Sequence, residues 1–118
     1  MRVTQAFSFE AAHFLPAVPE GHRCRELHGH SYRVELSFEG PVNQESGFVL
    51  DFFDIERLVA PSIGMLDHKL LNKIPGLENP TAENIALWIW NRAEVAMAHL
   101  AAIKIYETQN CWVEYTGS

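Results

Sequence analysis

Two segments in the first third of the chain alternate between apolar and polar residues, and this alternation limits the folds available to the chain. Apolar residues occupy mostly odd positions from Val3 to His13 and even positions from His28 to Phe38. Successive side chains of a β-strand point to opposite faces, so each segment is predicted to be a strand with one buried face. Because the two strands are consecutive, they are predicted to pair antiparallel.

The apolar positions also determine the predicted register of this pair. Pairing Phe9 with Tyr32 keeps both apolar sets on the same side of the sheet. The same register places His13 opposite His28, with His30 one diagonal step away. Three imidazole side chains are therefore expected to converge on one face of the sheet.

Convergent imidazoles predict a site for a divalent transition metal, most commonly zinc. His13, His28 and His30 would supply three protein ligands and leave one coordination position open, which is typical of catalytic zinc sites. The alternative is a cluster of solvated histidines at the end of the sheet. That alternative does not explain why all three lie in register with the apolar face, where unused imidazoles must be desolvated.

The loop before the second strand carries a thiol that could react or bind metal. Cys24 precedes His28 by four residues. It could be a fourth zinc ligand, which would close the site and make it structural, or the acid–base group of an open site. An inert loop thiol is the third reading, and the residues alone leave all three open.

Two other places carry titratable groups in unusual settings. A histidine oriented by a carboxylate is a competent proton shuttle, and Asp67-His68 could form such a pair on a loop, although neighbouring residues of a strand would diverge. Glu107 ends a strand face that otherwise carries Ile103 and Ile105. A carboxylate on an apolar strand face is anomalous and marks a candidate site residue.

The middle of the chain predicts two helices. One follows Asp51, whose side chain suits an N-cap better than a catalytic pair with Asp54. The second is predicted to be capped by Thr81 and to run to about residue 102, with a stripe of small and aliphatic residues facing a sheet. Trp90 and His99 fall off this stripe and are predicted to lie on the surface.

The last part of the chain predicts a second hairpin, formed by residues 103–107 and 111–115. The element order is then ββααββ, which indicates an α+β fold. A chain of 118 residues with 47% hydrophobic residues is expected to form one domain, residues 1–118.

Composition excludes several classes of function. The net charge of −6 and the lack of a basic run argue against nucleic-acid binding. No secretory signal is expected, and no apolar run approaches the ~18 residues that span a membrane. Cys24 and Cys111 lie far apart, so a reducing, cytoplasmic setting is expected rather than a disulfide.

These residues belong to longer motifs that together resemble a known family. In chain order the motifs are Phe9-Glu10-Ala11-Ala12-His13, Glu20-Gly21-His22-Arg23-Cys24, Leu27-His28-Gly29-His30-Ser31-Tyr32, Leu66-Asp67-His68, Asn79-Pro80-Thr81-Ala82-Glu83-Asn84 and Tyr106-Glu107-Thr108. In content and order they resemble the 6-pyruvoyl-tetrahydropterin synthase superfamily, and within it the bacterial 6-carboxytetrahydropterin synthases of queuosine biosynthesis. One departure is Arg25, where close relatives are expected to have Gly.

The resemblance implies a T-fold, an antiparallel four-stranded sheet with two helices on one face. It assigns zinc binding to the three histidines, proton transfer to Cys24 together with Asp67 and His68, and pterin anchoring to Glu107. A carboxylate can accept both parallel N–H donors of the pterin edge. The implied assembly is a homohexamer of two trimers, with active sites between subunits.

The implied reaction is that of a lyase acting on 7,8-dihydroneopterin triphosphate. It would yield 6-carboxy-5,6,7,8-tetrahydropterin, acetaldehyde and triphosphate, and Arg23, Arg25 and Lys69 are candidates for a basic rim that receives the phosphates. The nearest alternative is a 6-pyruvoyl-forming enzyme, which eliminates triphosphate without cleaving a carbon–carbon bond. A non-catalytic structural zinc module is the alternative from another class.

Overall fold

The computed structural model describes all 118 residues and has a five-stranded sheet at its centre, in the order β3-β1-β2-β4-β5. The elements are β1 (Arg2–His13), β2 (His28–Glu39), α1 (Phe52–Gly64), β3 (Lys69–Leu70), α2 (Ala82–Ala96), β4 (Leu100–Thr108) and β5 (Cys111–Tyr115), with 3-10 turns at Arg23–Arg25 and Leu71–Lys73. The helices contact each other and pack on the sheet face that carries the buried core. The predicted α+β class and T-fold arrangement are confirmed.

The register of β1 and β2 is the predicted one. Phe9 pairs with Tyr32 and His13 pairs with His28. Gly29 faces the side of the sheet away from the core, where a Cβ atom would lie 3.3 Å from the carbonyl oxygen of Ala11. This close approach of two backbones favours glycine between the two histidines of β2.

The predicted strand count of four is wrong, because β3 adds a fifth strand that pairs parallel with β1 at Ala11 and Ala12. The two residues of β3 are too few to show an alternating pattern in the sequence. They pair with β1 because the chain that leaves α1 runs back along the edge of the sheet. The backbone N–H of Glu10 donates to the Asp67 carboxylate (2.9 Å), which holds the returning segment against β1.

Both helices begin where predicted. The Asp51 carboxylate accepts the N–H of Phe53 (2.9 Å), and the Thr81 hydroxyl accepts the N–H of Asn84 (3.1 Å). Asp54 lies in the first turn of α1, 3.5 Å from Arg57. The structural reading of the two aspartates is therefore confirmed.

The predicted end of α2 is wrong, because the helix stops at Ala96 and the chain enters β4 at Leu100. No glycine or proline marks this break. Leu100 instead pairs with Phe38 at the end of β2, so sheet pairing overrides helix propensity here. No helix of the structure is both long enough and apolar enough to cross a membrane.

The predicted surface position of Trp90 is also wrong. Its ring is buried against Tyr115 of β5, and its indole N–H donates to Glu94 (2.8 Å). His99 is exposed, as predicted. The hairpin of β4 and β5 forms as predicted, with Thr108 opposite Cys111.

Candidate metal centre and active site

Three histidines meet at the end of the β1–β2 pair, as the register predicted. One ring nitrogen from each of His13, His28 and His30 lies within 4.8 Å of the others. The Nε2 atoms of His13 and His28 are 2.9 Å apart. His13 is fully buried and the other two are partly buried, so the cluster lies where the core meets a cavity.

Backbone carbonyls set the orientation of two of these rings. The Nδ1–H of His13 donates to the carbonyl of Pro80 (2.8 Å), and that of His28 donates to the carbonyl of Glu26 (2.8 Å). A carbonyl oxygen can only accept a hydrogen bond, so the proton of the neutral ring is on Nδ1. The lone pair of Nε2 is therefore free to bind a metal. Metal-binding histidines are commonly held in this way.

His30 completes the donor set. Its Nε2 atom is buried and makes no hydrogen bond, although a carboxylate oxygen of Glu107 lies 3.1 Å away. A buried imidazole nitrogen that makes no hydrogen bond is costly unless something binds it. Three imidazoles with nitrogens facing one point therefore fit a divalent transition metal ion.

Burial keeps two of these imidazoles, those of His13 and His30, in the form that binds metal. Desolvation lowers the pKa of His13 against the opposing effect of its hydrogen bond to Pro80. Desolvation also lowers the pKa of His30, against the opposing effect of the Glu107 carboxylate. Both rings are consequently neutral at pH 7, and no proton has to be removed before a metal binds.

The lowered pKa values predict that the metal-free protein loses stability in acid. The unfolded chain takes up protons at the ordinary histidine pKa of about 6.5, whereas folded His13 and His30 resist protonation. The free energy of unfolding is therefore highest above about pH 6.5 and falls as the pH drops below that value. Urea unfolding of chelator-treated protein from pH 7.5 to 5.0 measures this, and a midpoint that stays constant or rises towards pH 5 would contradict it. The same series with His13→Gln should show a smaller decline.

A cavity of about 450 Å³ opens beside the histidines. It is lined by Arg23, Cys24, His28, His30, Glu107, Thr108 and Cys111. The structure therefore brings two of the predicted site residues, Cys24 and Glu107, to the same cavity as the imidazoles. Sulfur is not among the clustered ligand atoms, so the geometry does not support Cys24 as a fourth ligand.

Asp67 and His68 form the pair that required a loop conformation. The Nδ1 atom of His68 is 3.0 Å from the Asp67 carboxylate, and His68 adopts a left-handed backbone with φ of 58°. Hydrogen bonds to the carboxylate, first from the Glu10 N–H and then from His68, lower the pKa of Asp67. The negative carboxylate thus orients the exposed imidazole.

This pair does not lie in the cavity of Cys24. His68 lines a second cavity of about 600 Å³, whose other lining residues include Glu10, Ser31 and Lys69. Of the residues that line the two cavities, only His30 is shared. Within one chain, the predicted relay of Cys24, Asp67 and His68 is therefore not assembled.

Three residues that hold the histidines were not predicted from the sequence. Pro80 and Glu26 act through backbone carbonyls, which every residue has and which give no sequence signal. Tyr32 places its hydroxyl 3.2 Å from Nδ1 of His13, and burial raises its pKa above the ordinary value. The Asn79–Asn84 motif includes Pro80 and marks this turn, which Asn84 braces by donating to the carbonyl of Asn79 (2.8 Å), but it does not indicate the contact with His13.

A family model described as 6-pyruvoyl tetrahydropterin synthase matches residues 2–118. The chain belongs to this family. The resemblance noted from the motifs is thereby confirmed, and a solved structure agrees with it. The 6-pyruvoyl tetrahydropterin synthase of Caenorhabditis elegans superposes with a TM-score of 0.92 at 25% identity, covering 100% of this chain and 96% of the other.

Proteins with different names resemble this chain to a similar degree. The 6-carboxy-5,6,7,8-tetrahydropterin synthase of Synechocystis sp. is 40% identical over 112 residues, 90% of this chain and 85% of the relative. The dihydroneopterin monophosphate aldolase of Pyrococcus furiosus is 41% identical over 91 residues, 77% of this chain and 73% of the relative. Family membership thus indicates a pterin enzyme, and the reaction has to be argued from the site.

Proposed function

We propose that this family member is a zinc-dependent 6-carboxy-5,6,7,8-tetrahydropterin synthase. It would be a carbon–carbon lyase of queuosine biosynthesis that converts 7,8-dihydroneopterin triphosphate and releases acetaldehyde and triphosphate. The observation that carries the proposal is the cluster of three imidazoles beside a cavity lined by Cys24 and Glu107. The 40% identity to a relative of that name supports the choice of reaction.

The metal is assigned to the three histidines. Zinc would be held by ring nitrogens of His13, His28 and His30, and the backbone carbonyls that orient His13 and His28 suit this role. When bound, it acts as a Lewis acid that stabilises negative charge developing on the side-chain oxygens of the substrate.

The cavity residues take the remaining roles. Glu107 binds the pterin edge, because its carboxylate can accept two parallel N–H donors at the end of an apolar strand face. Cys24 moves a proton to or from the substrate side chain held near the histidines. Arg23, which lines the same cavity, is placed to meet a phosphate group.

Assembly would complete the relay that one chain leaves apart. We assign Asp67 and His68 to an active site shared between protomers of a homohexamer, since the cavity that His68 lines is separate from that of Cys24. The side chain of His68 is 77% exposed, so another protomer can reach it.

The domain is taken to span residues 1–118, and the setting to be the cytoplasm, where the free thiols of Cys24 and Cys111 would stay reduced.

A second candidate is an aldolase acting on dihydroneopterin monophosphate. The 41% identity to the Pyrococcus furiosus enzyme of that name favours it. A 6-pyruvoyl-forming synthase is the third candidate, supported by the fold match to the Caenorhabditis elegans enzyme.

One assay separates these candidates. Zinc-loaded protein is incubated with either dihydroneopterin triphosphate or dihydroneopterin monophosphate, and the aldehyde and pterin products are identified by mass spectrometry. We expect acetaldehyde and 6-carboxytetrahydropterin from the triphosphate. A pyruvoyl product without aldehyde, or turnover of the monophosphate alone, would overturn the proposal. Failure of both substrates with full zinc content would favour the structural zinc module.

Glu107→Gln is expected to weaken pterin binding while zinc is retained. The amide keeps the shape of the side chain but replaces one acceptor oxygen with a donor, so one of the two charge-assisted hydrogen bonds is lost. We expect KM or the Kd for a pterin ligand to rise by about 10- to 100-fold, given about 1.5–3 kcal/mol for a hydrogen bond to a charged group. Titration calorimetry and zinc analysis measure both effects.

The zinc content is the control in this experiment, because Glu107 lies 3.1 Å from Nε2 of His30. Loss of stoichiometric zinc in Glu107→Gln would make the residue a metal ligand. Unchanged pterin affinity would remove the anchor assignment.

A further inference from the structure

The loop that carries Cys24 has no core of its own. None of the side chains from residue 14 to residue 27 is fully buried. Only Phe14, Leu15, Val18 and Cys24 are partly buried, so hydrogen bonds contribute substantially to the conformation of the loop.

Cys24 is tied to this loop through its backbone. Its carbonyl accepts the N–H of Leu15 (2.9 Å), and its own N–H donates to Nδ1 of His22 (3.0 Å). The first bond joins the two arms of the loop, residues 14–18 and 22–27. No other backbone hydrogen bond joins these arms.

Arg25 supplies the remaining connection between the arms. Its Nη1 atom donates to the carbonyl of Val18 (2.7 Å) and lies 3.4 Å from the carbonyl of Pro16. No other side-chain hydrogen bond joins the two arms. A guanidinium suits this role, because it is always charged and its donors have a fixed geometry.

These contacts distinguish Arg25 from its neighbour Arg23. The Arg23 side chain lines the cavity of Cys24, whereas Arg25 does not. Arg25 also has no carboxylate partner, so its hydrogen bonds go to the loop carbonyls alone. Its place in the basic rim considered from the sequence is therefore not supported.

We propose that Arg25 is a positioning residue that clamps the two arms of the loop and thereby holds the Cys24 thiol in the cavity beside the histidines. Its effect on turnover rests on the proposed role of Cys24 in proton transfer. Its effect on the position of the thiol does not. The loop is a weakly anchored segment, so removal of one of two cross-links should release the thiol without unfolding the core.

The test compares Arg25→Met with Arg25→Lys in zinc-loaded protein. Met keeps much of the length but has no donor, whereas Lys can still donate to one carbonyl. Arg57→Met is the matched control, because Arg57 is an exposed arginine of α1 whose partner is Asp54. The measurements are zinc content, thermal unfolding, kcat, KM and the rate of Cys24 alkylation by iodoacetamide. The alkylation rate is read by peptide mass spectrometry, so that Cys111 does not contribute.

For Arg25→Met we expect kcat to fall about 10- to 100-fold with KM changed less than about three-fold, as for a displaced catalytic group. Alkylation of Cys24 should be about five-fold faster or more, because the thiol leaves the cavity more often. Zinc content should be unchanged. Arg25→Lys should recover part of both effects, and Arg57→Met should show neither.

Three outcomes would overturn the proposal. A raised KM with unchanged alkylation would mean that Arg25 contacts the substrate. Unchanged alkylation and unchanged kcat would remove the clamp, and loss of zinc or of thermal stability would assign the residue to general folding. If the wild type turns over no pterin, the alkylation rates still decide whether the clamp exists, so its failure is distinguishable from failure of the proposed function.

Discussion

Replacing His28 with alanine is expected to abolish zinc binding and turnover together. The substitution leaves only two of the three clustered imidazoles, which are too few protein ligands for a stable zinc site. Loss of a residue that hydrogen-bonds a metal ligand lowers the affinity for the metal by about 10- to 100-fold, so loss of the ligand itself should lower the zinc affinity by at least about 100-fold. Zinc analysis after dialysis and a turnover assay measure the two effects.

The same experiment shows whether turnover is lost through loss of zinc rather than through unfolding. His28 is partly exposed and lies outside the buried core, so His28→Ala should stay folded. The matched control is His99→Asn. His99 is an exposed histidine with φ of 68°, a backbone conformation that asparagine tolerates. Stoichiometric zinc in His28→Ala would contradict the three-histidine site.

Replacing Cys24 with alanine is expected to collapse turnover while zinc stays bound. A positioned acid–base group contributes about 10²- to 10⁴-fold to a rate, and the alanine variant should lose a factor in that range. Zinc should remain stoichiometric, because the sulfur is not one of the clustered ligand atoms. Parallel measurement of kcat and zinc content checks both parts.

The second thiol of the cavity provides the comparison. Cys111 lines the same cavity but lies outside the motifs of the family resemblance, so Cys111→Ala should lose much less activity. If Cys24→Ala loses zinc, the thiol is a fourth ligand and the site is structural. If it keeps full activity, the proton-transfer role is wrong.

The cluster of three histidines could be predicted because it depends on a short-range pattern. The alternation of apolar and polar residues along β1 and β2 indicates which face of each strand is buried. Antiparallel pairing with both apolar faces on the same side then fixes the register of the two strands. His13 and His28 meet for this reason, although they are fifteen residues apart. The capping residues Asp51 and Thr81 were also predictable from a local pattern, since each side chain accepts a hydrogen bond within the first turn of its helix.

The errors lie where distant parts of the chain compete with local preference. The segment after Ala96 has helical residues and no breaker, but pairing of Leu100 with β2 ends the helix. Trp90 lies off the predicted stripe, yet Tyr115 covers it from β5. In both cases the partner comes from an element that the local pattern does not contain.

The sequence by itself determined the class of fold, the convergence of three imidazoles and the motifs that identify the family. Only the tertiary structure showed that His68, the partner of Asp67, lines a different cavity from Cys24, and that Arg25 binds loop carbonyls. The physical reason is that strand parity and helix caps are set within a few residues. The cavities depend on how α1, the loop and the sheet edge pack, and carbonyl acceptors have no residue type that could reveal them.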